Sequence, residues 1–311
     1  MTAISAAIVV GLVALLTAPA AAVAQAERSV WEELELSLGG RVWATSGYSS
    51  RRSAAAGIDR LSELRWRGVD SIVPEVNVDL VWNRFVALAS IGGGVIGDGV
   101  LIDEDFSPTG ERTGFTRSTV DDSDLFYINT DVGGRVFAWT MPDATARGYV
   151  DLLFGFQYWQ ERYVAFGATG FPGTVDSGTR AIANDYYWSS LRLGARTQVP
   201  IYRGLSVRLR GYLVPWSYLV IEDVHYLRSD LRRDPSFRDE ADGGFGWQAD
   251  GALTYAVTDR LSVELGFQYW LLESGEGDQF AYTTTVGTVR QKLDEARTER
   301  YGPFVGVRWR F

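Results

Sequence analysis

Two pairs of ionisable residues in this sequence share a spacing that suits acid–base chemistry. Asp223 and His225, the single histidine of the chain, are separated by one residue, and Asp103 and Asp105 have the same spacing. In an extended strand, residues i and i+2 project from one face, about 7 Å apart. Asp223 could therefore orient His225 and raise its basicity, and the crowded carboxylates of Asp103 and Asp105 could share a proton.

A water molecule held between these two pairs would be a poised nucleophile for the hydrolysis of a peptide bond. That reaction needs a base for the water and an acid for the leaving amine. Each pair alone is more ordinary, since an Asp-x-Asp at a strand end is commonly solvated and a histidine beside an aspartate is commonly structural. The catalytic hypothesis depends on both pairs ending long strands on one side of the molecule. A metal site is not expected, because His225 has no second nitrogen ligand beside it.

The composition limits the class of protein. The 311 residues include 34 glycines, 11 tryptophans and no cysteine, and the formal net charge is −9. Without cysteine the chain has neither disulfides nor thiolate chemistry. The acidic balance argues against nucleic acid as a partner and favours cationic ligands. If the two pairs hydrolyse peptide bonds, the expected substrate is therefore a cationic peptide or protein. A monomer is a separate expectation.

The first 26 residues are predicted to be a secretory signal peptide. The run AAIVVGLVALL is too short to span a bilayer, and Ala24-Gln25-Ala26 fits the small-x-small pattern of a cleavage site. A short membrane anchor is the alternative. We expect residues 27–311 to form one domain. Their sequence has no run of 18 apolar residues, which excludes a bundle of transmembrane helices.

Apolar and polar residues alternate with a period of two over most of the chain, which predicts strands with two different faces. In RLSVELGFQYWLL the alternation lasts for about eleven residues, enough for a tilted strand to cross a membrane. The connections are alternately tight and long, as in an all-β, ten-stranded antiparallel transmembrane β-barrel with short periplasmic turns and long extracellular loops. A soluble β-sandwich is the alternative. The ten predicted segments are 32–50, 58–81, 85–105, 122–141, 147–167, 180–200, 205–225, 238–257, 260–278 and 291–311.

The predicted strand 205–225 contains a conflict of phase. Counted back from His225 in steps of two, its lower half gives Leu213, Leu209 and Leu205, an apolar set that should face lipid. A regular strand would therefore point His225 out of the barrel. The sequence predicts a β-bulge, in which one extra residue resets the alternation, at Pro215, because proline lacks the donor of the strand ladder.

Together these features resemble the omptins, outer-membrane endopeptidases of Gram-negative bacteria. The resemblance rests on the ten strands, the signal peptide, the order of the two pairs, and the runs SELRWRG, IGGGVIGDGVLIDEDF and YWQERY. It implies an enzyme of the outer membrane, facing the exterior, that activates water without a covalent intermediate. Asp103 and Asp105 would be its carboxylate couple, and Asp223 and His225 its catalytic dyad.

The resemblance also implies where a substrate would bind. Gly47 and Ile221 occupy the positions at which omptins that cut between basic residues have the two acidic side chains of the P1 pocket. Neither residue is acidic here, which is a departure from the family pattern. Glu104 and Glu222 are expected to contribute to an acidic, substrate-binding mouth.

A lipopolysaccharide site on the outer wall is the last feature that the resemblance implies. Tyr158 and Arg162 match part of that site, whereas Gln160 and Tyr187 replace an acidic residue and a second arginine of the family. Lipopolysaccharide is expected as an activator, and no other cofactor is expected.

Two other functions are alternatives to the peptidase. The main alternative is a non-enzymatic barrel, either an adhesin or a small-solute channel. A barrel enzyme that modifies lipid is disfavoured, because the single histidine lies beside Asp223 and no Ser–His arrangement is evident in the sequence.

Overall fold

The computed structural model describes residues 34–55, 58–144, 146–171 and 173–311. The predicted signal peptide lies outside the described residues. Fourteen β-strands pair into one antiparallel sheet. None of the described residues forms a helix long and apolar enough to cross a membrane. The strands are β1 (Leu34–Ala55), β2 (Ile58–Arg67), β3 (Ser71–Trp82), β4 (Phe85–Ile96), β5 (Val100–Phe106), β6 (Arg112–Trp139), β7 (Gly148–Phe171), β8 (Val175–Tyr202), β9 (Leu205–His225), β10 (Phe237–Asp242), β11 (Gly244–Ala256), β12 (Leu261–Ser274), β13 (Gly277–Tyr282) and β14 (Thr288–Arg310).

The chain crosses the sheet in ten passes, and four of these passes are each interrupted and so form two strands. The fourteen strands therefore close into a barrel that has ten strands at every level. The lower ring consists of β1, β3, β4, β6, β7, β8, β9, β11, β12 and β14, and it closes by pairing of β14 with β1. In the upper ring β2, β5, β10 and β13 take the places of β3, β4, β11 and β12. The predicted ten-stranded antiparallel barrel is confirmed.

The strands extend further at the upper end than the sequence predicts. Residues 106–121, 168–179 and 279–290 are expected to be loops, but most of them belong to strands. Above the level of the membrane the outer face of a strand is polar, so its alternation is not visible in the hydropathy. Backbone pairing with both neighbours continues there all the same. The segment 226–236 is the longest upper connection within the described chain.

An apolar belt surrounds the lower ring. Every strand of that ring has at least one large apolar side chain exposed on its outer face. A closed sheet satisfies its own backbone hydrogen bonds, so such a belt can face hydrocarbon. The belt therefore marks the level at which the barrel spans a bilayer. Representative belt residues, one from each strand, are Leu38, Val76, Ile91, Val132, Phe154, Leu193, Leu213, Leu253, Leu265 and Val305.

The interior is filled by side chains. Its lower part holds buried ion pairs, among them Arg41 with Glu75 and Arg192 with Asp131. Above them lies an aromatic layer in which Trp270 contacts Trp43, Tyr127 and Trp159, with ring centroids 4.8–5.3 Å apart. The candidate site lies above this aromatic layer.

The phase of β9 is reset at Pro215, which confirms the predicted bulge. Leu191 of β8 pairs with Trp216, whereas Leu193 pairs with Leu213, so β9 has one more residue than β8 in this stretch. Pro215 and Trp216 are consecutive exposed residues. Below them the even-numbered residues of β9 face the interior, and above them the odd-numbered residues do. The extra residue therefore turns the predicted dyad inward.

Replacement of a belt residue by arginine should destabilise the barrel in lipid. Leu265→Arg puts a charge on the lipid-facing wall, which costs about 2–4 kcal/mol near the midplane of a bilayer. Thr288, an exposed residue at the upper start of β14, provides a control. Thr288→Arg should change the free energy of unfolding by less than about 0.5 kcal/mol. Reversible denaturant unfolding in lipid vesicles measures both, and equal costs would contradict the position of the belt.

Candidate active site

The two predicted pairs face each other across the upper end of the barrel. Asp103 lies on β5, and Asp223 and His225 lie at the end of β9. These are the third and seventh strands of the upper ring, counted from β1. Asp103 is the ladder partner of Leu64, which is buried in the interior, so both side chains share the inner face. Asp105 has the same orientation and is more exposed.

Asp223 and His225 are in direct contact. Nδ1 of His225 lies 2.9 Å from Oδ1 of Asp223, which is the distance of an ion pair when the imidazole is protonated. The Asp223 side chain is fully buried, whereas 14% of the imidazole is exposed. Solvent or a ligand can therefore reach the ring. Because Nδ1 lies against the buried carboxylate, Nε2 is the nitrogen that is free to accept a proton from a bound water or ligand.

The connection 226–236 fixes the backbone of this dyad. The N–H of Ser236 donates to the carbonyl of Asp223 (2.7 Å), and Oγ of Ser236 accepts from the N–H of His225 (3.0 Å). Phe237 packs edge-on against the imidazole, with ring centroids 5.3 Å apart. Neither Ser236 nor Phe237 is predicted from the sequence, because they lie at the end of the irregular connection 226–236 and directly after it, and no periodicity describes the path of that connection.

Two further charged residues, Arg51 and Asp239, are buried next to the dyad. Nη2 of Arg51 lies 2.7 Å from Oδ2 of Asp223, and its Nη1 donates to Oδ2 of Asp239 at 2.9 Å. The side chains of Arg51 and Asp239 are 3% and 0% exposed. The sequence held a signal for Arg51, since the alternation from Trp43 through Gly47 reaches an inward position at residue 51. The predicted strand end at residue 50 concealed that signal.

The surroundings shift the titration of the site residues. Burial raises the pKa of Asp103 to about 6; His225 opposes this rise and Asp105 adds to it. Burial alone would raise the pKa of Asp223, but the charges of His225 and Arg51 outweigh it and lower that pKa. Burial alone would lower the pKa of His225, but Asp223 and then Asp103 outweigh it and raise that pKa. At neutral pH the Asp223 carboxylate is therefore ionised beside an unusually basic imidazole.

The arrangement can perform acid–base chemistry on a bound water or ligand. His225 is placed as a base beside the orienting carboxylate of Asp223 would be, and Asp103 offers a second carboxylate from the opposite wall. Among the residues that the structure describes, no group of three or more His, Asp or Glu side chains is placed to hold a metal ion.

Glu104 and Glu222 are not brought to the dyad. Each lies between two inward residues of its strand, so its side chain projects from the outer face. Glu104 is bonded there to Arg65 and, at 2.9 Å, to Nη1 of Arg112. Glu222 accepts a hydrogen bond of 2.6 Å from Nη1 of Arg238. In the structure both carboxylates therefore lie on the outer wall and not on the inner face that carries the dyad.

Gly47 and Ile221 do lie on the inner face, below the dyad. Ile221 is fully buried and is the ladder partner of Tyr186 and of Asp239. A Cβ at Gly47 would lie 3.0 Å from Cζ of Arg300, whose guanidinium is paired with Glu161. Of the two positions that the resemblance assigns to a P1 pocket, one is thus occupied by an isoleucine and the other adjoins a guanidinium.

Tyr158 and Arg162 lie on the outer wall just above the belt. Both belong to β7, whose exposed Phe156 is a belt residue. The Tyr158 hydroxyl donates to Oε1 of Gln160 at 3.4 Å, and Nε of Arg162 lies 4.0 Å from Asp185. The Arg162 side chain is 45% exposed. The position suits contact with a lipid headgroup.

Comparison with solved structures identifies the fold. The chain is similar to the outer membrane protease OmpT from Escherichia coli, with a TM-score of 0.75 and 15% identity over 89% of this chain and 97% of that chain. The fold is omptin-like. The translocator domain of the autotransporter NalP from Neisseria meningitidis follows at a TM-score of 0.38, with 12% identity over 99% of this chain and 97% of that one. No protein-family model matches the chain, and no curated protein matches it.

Removal of the Asp223 charge should lower the pKa of His225. In Asp223→Asn the carboxylate that raises the pKa of the imidazole is lost. NMR titration of the untagged barrel in detergent reports this value without ambiguity, because the chain has one histidine. Glu222→Gln is the matched control, since Glu222 projects outward, and it should leave the titration unchanged. Identical pKa values in the parent and Asp223→Asn would contradict the contact.

Proposed function

We propose that this protein is an omptin-like endopeptidase of a Gram-negative outer membrane, with its site facing the cell exterior. It would hydrolyse peptide bonds by activating a water molecule. The observation that carries the proposal is the contact of His225 with Asp223 opposite Asp103, at the upper end of an omptin-like barrel. The belt below the site supports a location in a membrane.

In the proposed mechanism, the water lies between Nε2 of His225 and the carboxylate of Asp103. His225 takes a proton from the water as it attacks the peptide carbonyl, while Asp223 stabilises the imidazolium that forms. The imidazolium then donates this proton to the leaving amine. Asp103 holds the water from the opposite wall, and Asp105 tunes the protonation of Asp103. No covalent intermediate is formed with the protein.

The proposed substrate is an extended, cationic peptide or protein segment that lies across the upper end. The acidic balance of the chain supports this class, since a net charge of −9 attracts cations. A preference for a basic P1 residue is not part of the proposal, because Gly47 and Ile221 supply no carboxylate.

Lipopolysaccharide is proposed as an activator that contacts the outer wall at Tyr158 and Arg162. An exposed guanidinium next to a tyrosine at the border of the belt suits the phosphorylated headgroup of such a lipid. The lipid would order the wall and take no part in the chemistry. The barrel would act as a monomer.

The filled interior opposes the channel alternative. Trp43, Trp159, Trp188 and Arg300 are each at most 1% exposed and occupy the space that a conducting barrel would leave to water. An adhesin would bind proteins without cutting them, so an assay of cleavage separates that alternative from the peptidase.

Loss of the base should abolish cleavage. His225→Ala should reduce the turnover of a mixed peptide library by at least about 100-fold, as expected for removal of a general base. Asp103→Asn should have a comparable effect. Glu104→Gln is the control, since Glu104 adjoins Asp103 but projects outward, and it should retain most activity. Mass spectrometry of the products, with and without lipopolysaccharide, measures all three. Cleavage that survives in His225→Ala would remove the peptidase proposal.

The rate of cleavage should rise with pH through the titration of His225. The base must be neutral to accept a proton, and its pKa lies above the usual value of about 6.5. Activity is therefore lost as the pH falls below the pKa of the imidazole. The acid limb of the profile of kcat/KM should coincide with the pKa found by NMR. A profile that is flat across this range would contradict the role of His225 as the base.

A further inference from the structure

Arg51 joins opposite walls of the barrel beneath the dyad. It lies on β1, which is four strands away from β9 in the upper ring. Its two terminal nitrogens are divided between carboxylates on β9 and β10, at 2.7 Å from Asp223 and 2.9 Å from Asp239. The guanidinium also lies 5.6 Å from the ring centroid of Phe237, the residue that packs against His225.

This arrangement determines the orientation of the Asp223 carboxylate. One oxygen of Asp223 contacts His225 and the other contacts Arg51, so rotation of the carboxylate would break one contact or both. The planar guanidinium is rigid and is held from its other side by Asp239, which limits its own movement. A single flexible partner would not provide this restraint.

Stability alone is a weak reason for such a cluster. Burial of an arginine with two carboxylates costs desolvation energy that the attraction between the charges does not reliably recover. Well-packed apolar side chains would fill the same space at lower cost. One of the two carboxylates that Arg51 contacts, by contrast, is the one that orients the base.

We propose that Arg51 is a positioning residue for the hydrolytic reaction, which holds the carboxylate of Asp223 against Nδ1 of His225 and aims Nε2 at the water. Asp239 is the anchor that keeps Arg51 in place. The kinetic part of this inference rests on the proposed function, whereas the part that concerns His225 can be tested without any cleavage.

The charges that face His225 come from several elements. Asp223 lies on its own strand, Asp103 on β5, Arg51 on β1, and Asp230 in the connection 226–236. The carboxylates of Asp223 and Asp103 raise the pKa of the imidazole, and Arg51 opposes them. Removal of the positive charge of Arg51 should therefore raise the pKa of His225 further.

Substitution of Arg51 by methionine tests the proposal. Arg51→Met should lower kcat by about 10- to 100-fold, the size of loss seen when an outer residue that orients a functional side chain is removed. The effect on KM should be much smaller. The pKa of His225, followed by NMR, should rise. Arg52→Met is the matched control: Arg52 is the next residue and projects outward to Asp294 and Glu295. It should change neither kcat nor the titration.

A lysine at this position separates charge from position. Arg51→Lys keeps the positive charge, so the pKa of His225 should stay near that of the parent. An ammonium group cannot span both carboxylates in the manner of the guanidinium, so kcat should still fall. If Arg51→Met does not fold, the double variant Arg51→Met with Asp239→Asn relieves one unpaired buried carboxylate. The pKa of His225 in this double variant is expected to lie above that in Asp239→Asn alone.

The outcomes distinguish this inference from the proposed function. A pKa of His225 and a kcat that are unchanged in Arg51→Met relative to Arg52→Met overturn the inference. Loss of activity through unfolding, with the pKa unchanged in the folded fraction, indicates a merely structural role and also overturns it. If the parent cleaves no peptide, the proposed function fails, and the titration still decides whether Arg51 controls the dyad.

Discussion

The upper end of the barrel depends on one buried carboxylate, that of Asp223. A carboxylate without solvent is very costly unless it is paired and hydrogen-bonded. Here one oxygen faces His225 and the other faces Arg51, so the charge is balanced from two sides. These partners belong to β9 and β1, and Asp103 approaches from β5. The geometry of the site is therefore only as rigid as the register of the strands, which a closed sheet fixes by pairing each strand on both edges.

In several passes of the chain, odd-numbered residues face inward in one ring of the barrel and even-numbered residues in the other. A break in the strand or a β-bulge accommodates each change. In the second pass of the chain, Ser71 and Val73 face inward below the break at residues 68–70, whereas Leu64 and Trp66 face inward above it. Odd and even positions thus exchange roles across the break. Strand β9 is continuous, and the bulge at Pro215 makes the same exchange by adding one residue. Without the bulge, the upper half of β9 would present its dyad to solvent.

Much of this architecture follows from a period of two in the sequence. The alternation predicts the ten passes, and the conflict of phase in 205–225 predicts the bulge, because lipid and lumen demand different residues. Both signals weaken above the membrane, where polar residues occupy both faces of a strand. For that reason the strand end at Ala55, and with it Arg51, was not predicted. The contacts of Ser236 depend on the path of an irregular connection, which alternation does not describe.

The outward ion pairs of Glu104 and Glu222 show a related limit of the sequence. Their charge suggests a role in an acidic mouth, but the parity of their strands gives them arginine partners on the outer wall. Whether a residue lies an even or an odd number of positions from an inward-facing neighbour, such as Asp103 or Asp223, shows whether its side chain faces the site. Charge alone does not show this.

The aromatic layer around Trp270 determines from which end of the barrel a substrate can reach the site. Its buried rings pack against one another across the interior beneath the site, which leaves the upper end as the side from which the partly exposed His225 is reached. Under the proposed function, substrate would enter and both fragments would leave at this upper end, and the fragments would compete there with fresh substrate. Proteolysis of that kind would act on molecules outside the cell without importing them.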